Sequence, residues 1–480
     1  MPFDLLIRNG TVVTESIKRQ SLAIVDGRIV EIAPEIPGLA ADEIDATGLH
    51  VLPGLIDPHV HFNEPGRTDW EGLASGSAAL AAGGGTCFFD MPLNSTPPLF
   101  DAAAFHAKRA AAEARSHVDF GLWGGLTPLN LDRLAELADC GVVGFKAFMC
   151  HSGVDEFPYA DDATLLEGMR SAAALGLPVA VHAESEEITR SLTQQAVAGG
   201  QVRIHDFLAS RPVAAELDAF SRAIEIAGET RCALHIVHVS CGRGVALVSQ
   251  ARARGIDVTC ETCPHYLLFS DDDLDHLAAV AKCAPPLRSS EDQNELWDRL
   301  IAGEIDLVAS DHSPCPPDLK GLDPVGSTGV TRSFFEIWGG IAGCQSTLPI
   351  LLMAGRANTE RGRPRPLAFL QNASSAHGGP EHSLPQIARL TSGAAAGRFA
   401  IADKGELRVG FDADLTLVDL TGATTLSAEH LLCRHKLSPY VGLPLYGLIR
   451  HTFVRGQHVF ADGRINPTSR GRLVAPSGSR

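Results

Sequence analysis

The sequence predicts an α/β protein: a (β/α)8 TIM-like barrel carrying a small β-sandwich domain built from both termini. Three observations lead there. Apolar runs of strand length alternate with alanine-rich stretches of helical length through the middle of the chain. The two ends share a short-strand idiom, including the same tetrapeptide, Asp-Gly-Arg-Ile, at 26–29 and 462–465. Five of the central runs end in side chains that can hold a metal or take a proton: His59 with His61, Lys146, His182, His238 and Asp311.

The 480 residues suit one large barrel with a smaller companion. From the N-terminus, residues 4–10 read as a strand closing on an Asn9-Gly10 turn. Residues 21–30 read as a hairpin with a type I′ turn at Asp26-Gly27. Barrel strands are expected to start at Leu52, Thr86, Val118, Val143, Pro178, Leu234, Asp257 and Asp306. Helices are expected over 102–114, 165–174 and 213–227, among others. The strand cores are apolar, as in a parallel sheet buried on both faces. Residues 355–382, rich in Arg, Asn, Ser, Gly and Pro, read as a surface excursion. Strands at 412–419 and 452–460 complete the terminal domain. The expected division is 1–51 and 401–480 for that domain and 52–400 for the barrel.

Composition narrows the function. Forty Lys and Arg against 57 Asp and Glu give a formal charge of −17, which argues against a nucleic-acid or anionic-membrane partner. Eleven cysteines are scattered along the chain. The start has no basic region followed by an apolar stretch, and no apolar run is long enough to span a bilayer. Free thiols and a cytoplasmic location are expected. Cys260 and Cys263 have redox-pair spacing, but Cys260 lies inside a strand run and not at a helix start, where a thiolate is stabilised.

His59 and His61 are two residues apart on a strand and so point to one side. His238 precedes a loop and is the better ligand of its strand; His235, three residues earlier, faces the opposite side and reads as a packed residue. Lys146 ends an apolar run, where a bare ammonium is costly to bury. Its neutral amine can add CO2 to give a carbamate, a carboxylate on a long stem able to join two divalent ions. The alternative is a lysine paired with Asp311 in a metal-free core. In the two-ion scheme one ion takes His59, His61, Asp311 and the Lys146 carbamate, and the other takes the carbamate, His182 and His238. Asp311 moves the proton from the attacking water to the leaving nitrogen. The donor set accepts zinc, iron, cobalt, manganese or nickel.

These residues in this order resemble the amidohydrolase superfamily, in particular its cyclic amidohydrolases: dihydroorotases, hydantoinases and allantoinases. The resemblance covers essentially the whole chain and includes residues 404–415 of the terminal domain. Glu64-Pro-Gly-Arg67, Trp70-Glu-Gly72, Met91-Pro-Leu-Asn94 and residues 205–212, 260–266, 310–317, 338–343 and 434–440 look closest to the allantoinases. That resemblance implies hydrolysis of the hydantoin ring of allantoin to allantoate in purine and ureide breakdown, zinc as the metal, N6-carboxylation of Lys146 and a homo-oligomer, with a tetramer favoured. Dihydroorotases resemble one another in placing Arg two residues after the second histidine, where this chain has Asn63. Hydantoinases usually carry a Tyr after the lysine, where this chain runs Lys146-Ala-Phe-Met-Cys-His151. The resemblance also implies substrate contacts by Asn63, the Ser313 main chain and the Ala284 loop, where relatives often have Ser; Asn94 reads either as a substrate contact or as a loop cap. Glu261, His265 and His312 read either as supports of the ligands or as ordinary hydrogen-bonded residues. Asp271–Asp273 reads as a solvated helix start. A hydantoinase or dihydropyrimidinase, a dihydroorotase-like enzyme and a non-catalytic scaffold stay open as alternatives.

Overall fold

Eight parallel strands follow one another in chain order: Leu55–Val60, Gly85–Asp90, Asp119–Leu122, Phe145–Phe148, Val179–His182, Leu234–Ile236, Val258–Thr262 and Leu307–Val308. Each pairs with the next, the third continuing past Trp123 as Gly124–Gly125 to meet the fourth. A parallel bridge from Val60 to His312 and a 2.7 Å bond from His61 N–H to the His312 carbonyl close the ring. The computed structural model describes residues 2–322, 332–354 and 384–477, so the excursion expected at 355–382 lies outside the described residues. The first two strands are buried along their whole length, including the polar Asp57, His59, Thr86 and Asp90.

Helices cover the predicted stretches. Ala102–Arg115 starts at Asp101, whose side chain accepts from Ala104 N, and Asp162–Leu175 starts at Asp161, which accepts from Thr164 N. The third is Val213–Thr230. Among the described residues no helix is long and apolar enough to cross a membrane, and all eleven cysteines are free.

The termini meet in one nine-stranded sheet. Phe3–Val13, Ile17–Val25, Arg28–Ala33, Ala40–Asp45 and His50–Pro53 come from one end. Leu415–Thr425, Pro444–Val454, Gln457–Ala461 and Arg464–Ile465 come from the other. The join is the antiparallel pairing of His50–Pro53 with Leu415–Thr425. The run read as one strand from Leu52 therefore divides: His50–Pro53 belongs to this sheet, and the barrel strand begins at Leu55. Gly54 sits between them because a Cβ there would lie 2.1 Å from Thr86 Cγ2. Both Asp-Gly turns have positive φ at each residue (52° and 76° at 26–27, 43° and 85° at 462–463), as type I′ requires. Asn9-Gly10 differs from its prediction. It is a bulge inside the single strand Phe3–Val13, with Asn9 at φ 62°. The acidic run Asp271–Asp273 is a 3-10 turn whose last carboxylate is buried and accepts from Ser270 N at 2.9 Å.

One buried charge cluster joins the sheet to the barrel. Lys404 Nζ lies 2.8 Å from Asp119 of the third barrel strand, 3.0 Å from Asp412 and 2.6 Å from Asp414. Arg455 also pairs with Asp119. These carboxylates hold the Lys404 ammonium well above its ordinary pKa of 10.5. Its contribution to stability is thus complete below that pH and is lost only as pH rises through the folded value. Lys404→Met, which removes the ammonium that three carboxylates share, should cost about 3–5 kcal/mol in urea unfolding, with the same gap at pH 7 and pH 9.

Candidate metal centre

All six predicted ligands come to the C-terminal mouth of the barrel, where this fold places chemistry. His59 is in the first strand and His61 just past it; His182 ends the fifth; His238 and Asp311 follow the sixth and eighth. Asp311 Oδ1 lies 3.3 Å from His59 Nε2 and 3.5 Å from His61 Nε2. His182 Nδ1 lies 3.0 Å from His238 Nε2. The four imidazoles form an arc, with ring centroids 5.5 Å (His59–His61), 5.4 Å (His59–His238) and 4.6 Å (His182–His238) apart.

Lys146 does not end its strand as predicted. It is the second residue of Phe145–Phe148 and pairs with Ala180, whereas Phe148 pairs with His182. Lys146 therefore starts two residues deeper than His182, roughly 6–7 Å along the strand. The length of its stem makes up that depth. It is fully buried, and Nζ has no hydrogen-bond partner. Burial pushes its pKa down to about 8 against the pull of Glu261 and Asp311. The pairing with Asp311 considered above is not formed.

Carboxylates fix the rings from behind. Glu261 Oε1 lies 2.5 Å from His59 Nδ1, and Glu261 Oε2 lies 3.0 Å from His235 Nε2. Glu184 Oε2 lies 2.8 Å from His182 Nε2 and also pairs with Arg211. For His59 and His182 the contact turns the opposite ring nitrogen toward the arc, as a metal ligand requires, whereas the other nitrogen of His235 bonds Thr259 Oγ1 at 2.8 Å. Burial, then the neighbouring cations, pushes His59 and His238 well below the ordinary histidine value, so both stay neutral at pH 7. A buried amine without a partner, four converging imidazoles and the Asp311 carboxylate fit divalent cations. The Glu184–Arg211 pair was missed in the sequence, although His182-x-Glu184 spacing puts both side chains on one side of an extended chain. His312 accepts from Gly343 N at 3.1 Å and serves the fold. His265 is buried beside Tyr266 with neither ring nitrogen bonded.

A cavity of about 570 Å³ opens over the arc, bounded by the four histidines, Asp311, Asn94, Ala284 and Ser313. Asn94 turns in at φ 67°, with its side-chain oxygen free of partners. Ser313 lies on the wall with its N–H donated to the Ile341 carbonyl at 2.9 Å. Asn63 is not on the wall. Its backbone, at φ 62°, aims the amide at the Pro314 carbonyl 3.4 Å away, behind the Ser313 loop.

The sequence profile of the Amidohydrolase family matches residues 50–459. The chain belongs to the amidohydrolase family. Its similar relatives include the allantoinase of Solibacter usitatus, 52% identical, with 98% of this chain and 97% of that one covered. The allantoinase of Deinococcus radiodurans is 50% identical, with 99% of each chain covered. Among solved structures, the L-hydantoinase (dihydropyrimidinase) of Arthrobacter aurescens is similar, with a TM-score of 0.89, 33% identity, and 98% and 100% of the two chains covered. An amidohydrolase with this donor set works with divalent metal ions. Within it, Glu261 holds two histidines at once. Glu261→Ala should weaken metal affinity 10–100-fold in a chelator competition while leaving the circular dichroism of the fold unchanged.

Proposed function

We propose that this amidohydrolase opens the hydantoin ring of allantoin to allantoate, in purine and ureide breakdown. One observation carries the substrate: full-length identity of 52% and 50% to proteins named allantoinases, against 33% to a hydantoinase. The mouth of the barrel supports the reaction type, because six ligand-type side chains converge under a cavity large enough for a small heterocycle.

In this reading His59, His61, Asp311, His182 and His238, with a carbamate on Lys146, would hold two zinc ions. The unpartnered Nζ of Lys146, two strand positions below the histidines, supports the carbamate assignment. When bound, the ions acidify water and polarise the carbonyl under attack. The chain supplies the rest. Asp311, within 3.5 Å of two histidines and open to the cavity, takes the proton of the attacking water and passes it to the ring nitrogen that leaves. Glu261 and Glu184 hold His59 and His182 in place through the proton transfer. The Asn94 side chain and the Ser313 and Ala284 loops face the ring, and Asn63 acts behind them by holding the Ser313 loop through Pro314. The expected setting is the cytoplasm, as a homo-oligomer, with a tetramer favoured.

Purified protein should be assayed on allantoin, hydantoin, dihydrouracil and dihydroorotate, with metal content measured in the same sample. Allantoin should turn over fastest, with two metal ions per chain. Faster turnover of dihydroorotate or dihydrouracil would reject the substrate, and a metal-free protein inactive on all four would point to a scaffold.

A further inference from the structure

Lys282 stands outside the chemistry above, yet it borders the same cavity. It is 5% exposed. Its ammonium donates to the Phe334 carbonyl at 2.6 Å and the Ile337 carbonyl at 2.5 Å. It lies 4.5 Å from the centroid of the Phe207 ring and 5.3 Å from that of Phe334. Among the described residues no carboxylate pairs with it. A buried lysine nitrogen that spends its donors on two carbonyls and its remaining face on aromatic rings is a clamp on the backbone that supplies them.

The clamped segment is a wall of the cavity, with Phe335, Glu336, Ile337, Trp338 and Gly339 lining it. Trp338 packs edge-on against Trp70, with centroids 4.7 Å apart at 72°. Its indole N–H donates to the Ser313 carbonyl at 3.2 Å, and its main-chain N–H donates to the Leu319 carbonyl at 2.8 Å. The far end of the segment returns to the same lysine: Gly340 N donates to the Lys282 carbonyl at 2.8 Å. Lys320 Nζ reinforces that end, 2.6 Å from the Gly340 carbonyl. Lys282 thus fastens the wall to the Ala284 loop, and Trp338 carries the constraint on to the Ser313 loop beside Asp311.

We propose that Lys282 is a positioning residue for specificity: by holding the Phe334 and Ile337 carbonyls it keeps Trp338 against Trp70 and Ser313, and so sets which ring substituents the cavity accepts. The kinetic part of this rests on the ring-opening reading above; the structural part does not.

The test uses metal-loaded Lys282→Met and Lys282→Arg proteins. Near-ultraviolet circular dichroism reads the Trp70–Trp338 pair, with Trp338→Phe as the reference for its loss. Metal content, kcat and KM are measured on allantoin and on 5-benzylhydantoin. Lys282→Met should keep its metal and lose the tryptophan-pair signal. Its KM for allantoin should rise about tenfold, with kcat changed less than about threefold, and its preference should shift toward the bulkier hydantoin. Lys282→Arg should restore part of each. A Lys282→Met protein with the parent's dichroism, KM and preference would overturn the proposal, as would a fall in kcat alone. If Lys282→Met does not fold, Phe207→Leu, which keeps the ammonium but removes its aromatic roof, should show the same shifts in smaller measure; parent values in it would overturn the proposal. If the parent opens neither hydantoin, the ring-opening reading fails, and the dichroism still decides whether the clamp exists.

Discussion

Hydrogen bonds across the seam between the first and eighth barrel strands fix the distance from His59 and His61 to Asp311. Asp57 Oδ1 accepts from His59 N at 3.3 Å and from Ser310 N at 3.1 Å, and His61 N reaches the His312 carbonyl at 2.7 Å. Asp57 is fully buried, and burial raises its pKa to about 7. The groups joined are 253 residues apart, so half the metal centre exists only once the ring of strands has closed. Two of the candidate ligands also sit in left-handed backbone, His238 at φ 39° and Asp311 at φ 45°. A residue other than glycine occupies that region at a cost, and the closed barrel holds it there. The site draws on the stability of the fold to keep its donors aimed.

Burial then sets the protonation that metal binding needs. It pushes His59, His182, His238 and Lys146 down, while raising Glu261 to about 8. Glu261 works from below, between His59 and His235 in the barrel interior. Glu184 works from the side, tied through Arg211 to the Arg288 and Glu216 pair. The centre is thus electrostatically incomplete by construction. Its neutral donors and partnerless amine gain from divalent cations what no neighbouring side chain supplies.

The barrel and the side chains gathered at its mouth were legible in the sequence for one reason. Parallel strands buried on both faces leave apolar runs, and a histidine or aspartate ending such a run stands out. What was not legible depended on contacts between distant residues. Asn9-Gly10 has the local chemistry of a turn and of a bulge alike; the strand from His50 to Pro53 decides between them, because Val51 packs where a Cβ of Gly10 would lie. The depth of Lys146 follows from pairing with Ala180, and not from where its apolar run stops. Asn63 occupies a position suited to substrate by its spacing from His61, but its left-handed backbone sends the side chain to Pro314. Arg211 and Lys282 carry no local signal, since their partners Glu184, Phe334 and Ile337 lie 27, 52 and 55 residues away.

The proposed role of Lys146, as a carbamate joining two ions, is open to one direct measurement. The direct measurement is 13C NMR of the metal-loaded protein equilibrated with 13C-bicarbonate, with Lys146→Ala as the control. One slowly exchanging carbamate carbon per chain is expected, absent from Lys146→Ala and lost together with the metal when a chelator is added. A protein that holds two metal ions per chain and turns over allantoin without any bound 13C-labelled carbon would contradict it.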